Sequence, residues 1–136
     1  MSDTARVQAR TTATDFVVAL DDPAGHHWQA DEPAALGGGD TAPTPYQLAL
    51  SALGACTAIT LRMFAARKQW PLQDVAVQLA LEPAASAGTG TDIVRRITLS
   101  GPLDTAQRER LLQIANACPI HRLLTGEVRI ATDLVD

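Results

Sequence analysis

Two cysteines and one histidine carry most of the chemistry available to this 136-residue chain. Cys118 lies in NACPIHRLL, directly before a proline and three residues before His121. Cys56, the only other cysteine, lies in ALGACTAITL, inside a long apolar segment. Two such thiols can run a transient redox cycle, one sulfur being oxidised and the other capturing it. A second option is a hydrolase or transferase with Cys56 as nucleophile and His121 as base, which leaves Cys118 without a role. A third is zinc: Cys118 and His121 are suitably spaced, and Cys56, His26 and His27 could complete the set. No second paired motif of the C-x-x-C type supports that option. The plainest reading is two small buried groups that fill space.

Local context separates the two thiols. Pro119 cannot extend a preceding helix but suits the first position of a new one, so PIHRLL reads as a short helix with Cys118 at its N-cap. Free N–H groups at such a position stabilise a thiolate, and Arg122 and a protonated His121 would add positive charge. Cys56 sits in mid-helix among apolar neighbours, a surround that disfavours the thiolate form of any cysteine. A reactive Cys56 therefore needs a cation brought from elsewhere in the chain or from a partner subunit.

Residues 5–11, 15–20 and 26–30 read as strands, with a turn at DDPAG. Residues 31–45, DEPAALGGGDTAPTP, form a long loop of the kind that is usually functional or mobile. A helix follows from Pro45 to about Gln69, with Thr44 as N-cap and Pro71 as its stop. Leu48, Ala52, Cys56, Ile59 and Met63 make one stripe of that helix, and Leu50, Leu53, Leu61 and Phe64 another. Ser51, Gly54, Ala55, Ala58 and Ala65 form a small-residue face between them. So much apolar surface suggests a central helix and a dimer. Period-two alternation over 74–83 and 92–101 predicts an antiparallel pair joined by the loop 84–91. A second helix covers 103–118, capped by Asp104 or Thr105, with Leu111, Ile114 and Ala115 pointing inward. EVRIATDL, residues 127–134, reads as a closing strand. The expected fold class is α+β, in a single domain, with the order β-β-β-α-β-β-α-β.

Hydrophobic residues make up 46% of the chain and charged ones 19%, a globular balance. A formal charge of −4 with scattered basic residues, Arg95-Arg96 being the densest pair, argues against nucleic acid as a partner. The N-terminus MSDTARVQAR lacks a signal-peptide core, and the apolar runs read as too short for a bilayer span. A cytoplasmic location without a membrane partner is the expectation, and a permanent disulfide is not expected there.

PTPYQLALSALGACTAITLRMFAARKQWPL, followed about sixty residues later by IANACPIHRLL and a closing strand, resembles the OsmC/Ohr family. The family comprises the osmotically inducible and organic hydroperoxide resistance proteins. The resemblance runs from ADEPAALGGGD to the C-terminus and is nearest to the OsmC-like branch. It implies an intertwined homodimer, with sheets wrapped around paired central helices and two sites at the interface. It also implies an antioxidant peroxidase that uses an external dithiol reductant and no resident cofactor. Cys56 matches the peroxidatic cysteine and Cys118 the resolving one. Relatives hold an arginine over the reactive thiolate and pair it with a glutamate. Here the corresponding acidic positions are Tyr46 and Gln47, so Gln47 would position the arginine by a neutral hydrogen bond, with Glu32 or Asp40 as substitute acids. Arg10 of the N-terminal strand is the expected arginine, Arg6 the reserve. An apolar surround favours organic hydroperoxides over hydrogen peroxide. The alternative is a non-catalytic or regulatory dimer that binds a hydrophobic ligand between its subunits.

Overall fold

The computed structural model describes residues 4–82 and 90–135. Its elements run β1 (Gln8–Thr11), β2 (Val18–Asp21), β3 (His27–Ala30), a 3-10 turn (Ala34–Leu36), α1 (Pro45–Lys68), β4 (Asp74–Glu82), β5 (Asp92–Ser100), α2 (Thr105–Ala115) and α3 (Pro119–Thr125). Contacts divide the chain into two compact units, Met1–Ala49 and Leu50–Asp136.

In the first unit β1, β2 and β3 form an antiparallel meander, with Arg10 opposite Ala19 and Leu20 opposite Trp28. The β2–β3 turn is closed by Asp22, which accepts from the His26 N–H at 3.0 Å and meets His26 Nδ1 at 2.7 Å. The loop after β3 is pinned from within. Asp31 is buried, and its carboxylate accepts from the Glu32 N–H (2.7 Å), the Thr41 N–H (3.0 Å) and the Thr41 hydroxyl (2.7 Å). The Asp40 N–H donates to the Glu32 carbonyl at 3.0 Å, and a Cβ at Gly38 would overlap that same oxygen. Any side chain at 38 must therefore push the loop open.

The hydrogen bonds from Thr41 and Glu32 hold the Asp31 carboxyl below its ordinary value. A lowered folded-state value stabilises the loop fully above the usual carboxylate range, and the contribution is lost as pH falls through the lowered value. The expected result is that the Thr41 amide stays protected from hydrogen exchange at neutral pH and loses protection below about pH 4. Unchanged protection in acid would show that Asp31 does not hold the loop.

Helix α1 begins with reciprocal capping. Thr44 Oγ1 accepts from the Gln47 N–H at 3.1 Å, and Gln47 Oε1 accepts from the Thr44 N–H at 2.9 Å. It ends at Lys68 because Gln69 turns left-handed (φ 57°) and the Trp70 N–H reaches back to the Ala65 carbonyl at 2.9 Å. Pro71 follows a helix already stopped.

In the second unit α1 packs on the β4–β5 hairpin and on α2. Leu61, Ala65, Leu103, Leu111 and Ala115 form the buried core, with Phe64, Trp70, Val75, Ile97 and Leu99 against it. Trp70 meets Phe64 edge-on at 5.5 Å. Of the predicted stripe Leu50, Leu53, Leu61 and Phe64, Leu53 and Leu61 are buried and the other two half-buried, the buried face of α1 being Leu53, Thr57, Leu61 and Ala65; Ile59 and Met63 of the other stripe remain exposed. Gly54 of the small-residue face lets Leu79 of β4 come close, since a Cβ there would stand 2.8 Å from Leu79 Cδ1. Asp104 caps α2 through a reciprocal pair with Gln107 (2.8 and 3.0 Å).

The predicted loop 84–91 lies almost wholly outside the described residues. The predicted closing strand does not form: residues 127–135 have no regular structure, and Ile130 and Leu134 are 85% and 100% exposed. Their alternation needs a strand edge to pair with, and no described strand of this chain pairs with them. Finally, α1 is long and apolar enough to cross a membrane by length and composition, contrary to the sequence reading. Its run of Ala, Leu and Ile is interrupted by few charges. One of its faces is nonetheless committed to the protein core through Leu61 and Ala65.

Candidate functional site: the cysteine pair and Arg95

Cys118 is fully buried at the N-cap of α3, where Pro119 opens the helix as expected. Its extended backbone turns the sulfur back to accept the His121 N–H at 3.3 Å. Cys56, half-buried on α1, brings its side chain within hydrogen-bonding reach of the Cys118 sulfur, and both are free thiols. The two cysteines, sixty-two positions apart, thus meet within one chain because α3 folds back onto α1. Cys56 also approaches the Thr60 hydroxyl at 3.9 Å.

The cation at this site is Arg95. It stands on the inward face of β5, opposite Leu79, in a row with Ile97 and Leu99. One guanidinium nitrogen donates to Thr57 Oγ1 at 3.0 Å; the other donates to Asn116 Oδ1 at 2.9 Å and to His121 Nδ1 at 3.1 Å. An arginine can only donate, so His121 Nδ1 must accept, and the imidazole is neutral with its proton on Nε2. That assignment leaves no free ring lone pair, which removes His121 as a base for Cys56 in the arrangement described.

Burial pushes the Cys118 thiol up, yet the His121 N–H, the Cys56 side chain, Thr57 and the Arg95 charge together hold it below the ordinary thiol value. The Thr57 share is small on geometry. Its one proton goes to the Leu53 carbonyl at 2.7 Å, and the Cys118 sulfur lies 4.0 Å away. Arg95, Asn116 and His121 also line a cleft of about 470 Å³ whose apolar walls come from Leu53, Ile93, Leu112 and Leu124; neither cysteine is among its lining residues. Among the described residues no three His, Cys, Asp or Glu side chains gather as a metal site.

Of the residues singled out from sequence, Cys56, Cys118 and His121 come together. Arg10 and Gln47 belong to the first unit: Arg10 is exposed on β1, and the Gln47 side chain is engaged in capping α1. Arg6 precedes β1, exposed. Sequence reasoning missed Arg95, Thr57 and Asn116. A signal for Arg95 was present, since the alternation of β5 puts it on the same face as Ile93, Ile97 and Leu99. A charge on an apolar face calls for partners.

Antiparallel sheets and three helices among the described residues give a mixed α+β architecture of the OsmC-like kind. The model of the OsmC-like protein family matches residues 37–133, and the chain belongs to that family. Solved structures agree in fold. The OsmC-like protein of Mycoplasma pneumoniae has a TM-score of 0.76 at 17% identity, over 93% of this chain and 90% of that one. The organic hydroperoxide resistance protein OsmC of Legionella pneumophila has 0.68 at 22%, over 91% and 90%. The organic hydroperoxide resistance protein OhrB of Bacillus subtilis has 0.62 at 24%, over 91% and 92%. No curated protein of similar sequence was found.

Proposed function

We propose that this protein serves peroxide defence as a thiol peroxidase that reduces organic hydroperoxides. The observation that carries the reading is the meeting of the chain's only two cysteines at a cationic, partly apolar site. Family membership and the hydroperoxide resistance named for two structural relatives point the same way. The Cys56 thiolate attacks the terminal oxygen of ROOH, the O–O bond breaks, and the alkoxide leaves to take up a proton. Cys56 is then a sulfenic acid. Cys118 attacks its sulfur, hydroxide leaves as water after protonation, and a Cys56–Cys118 disulfide remains. An external dithiol reduces that disulfide and is itself oxidised to a disulfide. No resident cofactor enters this cycle, and the reducing cytoplasm suits it.

Arg10 and Gln47 are proposed to support Cys56, Arg10 as its cation and Gln47 as the group that positions Arg10. The site would be completed in a homodimer. Ile59 and Met63 of α1 are 57% and 55% exposed in the single chain, and a second copy is the expected cover. Sedimentation should give a dimer, and a stable monomer in dilute solution would refute this. The deciding experiment for the activity adds less than one equivalent of cumene hydroperoxide to the reduced protein. Non-reducing peptide mapping should then find a Cys56–Cys118 link in proportion to the peroxide added. Hydroperoxide left intact, with both thiols free, would favour instead a dimer that uses the apolar cleft to hold a hydrophobic ligand.

A further inference from the structure

A positive charge on the inward face of β5 calls for an explanation, because Ile93, Ile97 and Leu99 share that face. Arg95 meets its cost with three neutral acceptors, each from a different segment. Thr57 follows Cys56 on α1, Asn116 is the C-cap of α2, and His121 lies in the first turn of α3. Asn116 and His121 bracket Cys118 at two residues before and three residues after it. The planar fork thus ties both sides of Cys118 to the segment that carries Cys56. The titratable and charged groups facing Cys118 are Cys56 from α1, Arg95 from β5 and His121 from α3, and Arg95 is the permanent cation among them.

We propose that Arg95 is the positioning residue of Cys118, holding it beside Cys56 as a ready thiolate. In the peroxidase cycle, on which this role rests, the ready thiolate would attack the sulfenic sulfur and later depart as the leaving group when the external dithiol attacks Cys56. A stabilised thiolate leaves faster, and half-buried Cys56 is the more accessible sulfur of the two.

The test reads Cys118 directly. In a Cys56→Ser background, which keeps a hydroxyl donor beside Cys118, thiolate absorbance is followed against pH. Arg95→Met should move the transition upward, cutting the thiolate fraction at neutral pH about tenfold. Arg95→Gln, which keeps amide donors without the charge, should do the same and serves if the Met variant does not fold. Arg95→Lys should recover part of the effect, because it restores the charge without the fork. With Cys56 intact, Arg95→Met should prolong the life of the sulfenic acid about tenfold, read by dimedone labelling. A folded Arg95→Met or Arg95→Gln variant whose Cys118 titrates as in the parent overturns the proposal. A shifted titration with no sulfenic acid in any variant would overturn the peroxidase reading and leave the hold of Arg95 on Cys118 established.

Discussion

Cys56→Ser is expected to reduce turnover of cumene hydroperoxide with a dithiol donor to the uncatalysed background. A serine hydroxyl stays protonated at neutral pH, and oxygen cannot take the oxygen atom from a peroxide to form a stable acid. Cys118→Ser should behave differently. Cys56 would still break one O–O bond per chain, giving a burst of one equivalent, and would then stop as a sulfenic acid that dimedone labels. Steady turnover would fall steeply unless the external thiol reduces that acid itself. The contrast between the two variants assigns the roles, because both remove one sulfur from the same cluster. Equal bursts from both, or full activity in Cys56→Ser, would refute the order in which we place the thiols.

The largest expected effect on stability is at Leu111. This side chain is fully buried at the centre of the core, with Leu61, Ala65, Leu103 and Ala115. Leu111→Ala should cost about 2–5 kcal/mol, combining lost transfer energy with the cavity left behind. Against a total of roughly 5–15 kcal/mol this is a large share. The urea midpoint should drop accordingly, while Glu109→Ala, exposed on the same helix, stays within about 0.5 kcal/mol of the parent. The loss should reach the site as well. Leu111 anchors α2, whose C-terminal end presents Asn116 to Arg95 and leads directly into Cys118. Slower disulfide formation is therefore expected at temperatures where the variant remains folded. A midpoint equal to the parent's would mean that the core closes over the gap.

Much of this protein was legible in local sequence patterns. Of the six predicted strands, the five found among the described residues start within three residues of the expected positions, and Thr44, Asp104 and Cys118 cap α1, α2 and α3 as read. Caps and period-two alternation depend on neighbours a few residues away, so the chain carries them in plain form. The pairing of the thiols was less visible. Cys118 showed its N-cap role through Pro119, but nothing near it names Cys56; the family resemblance supplied that link and the packing of α3 on α1 makes it physical. In sequence Arg95 is only half of the densest basic pair, because its importance rests on Thr57, Asn116 and His121, which only folding assembles around it. Residues 127–134 err in the other direction. Their alternation is real, yet a strand exists only where a neighbouring edge accepts its hydrogen bonds, and none of the described strands of this chain does. Sequence determined what each segment can become from its own neighbours. Tertiary structure decided which distant groups share a charge, a proton or an edge, since those energies arise only across space.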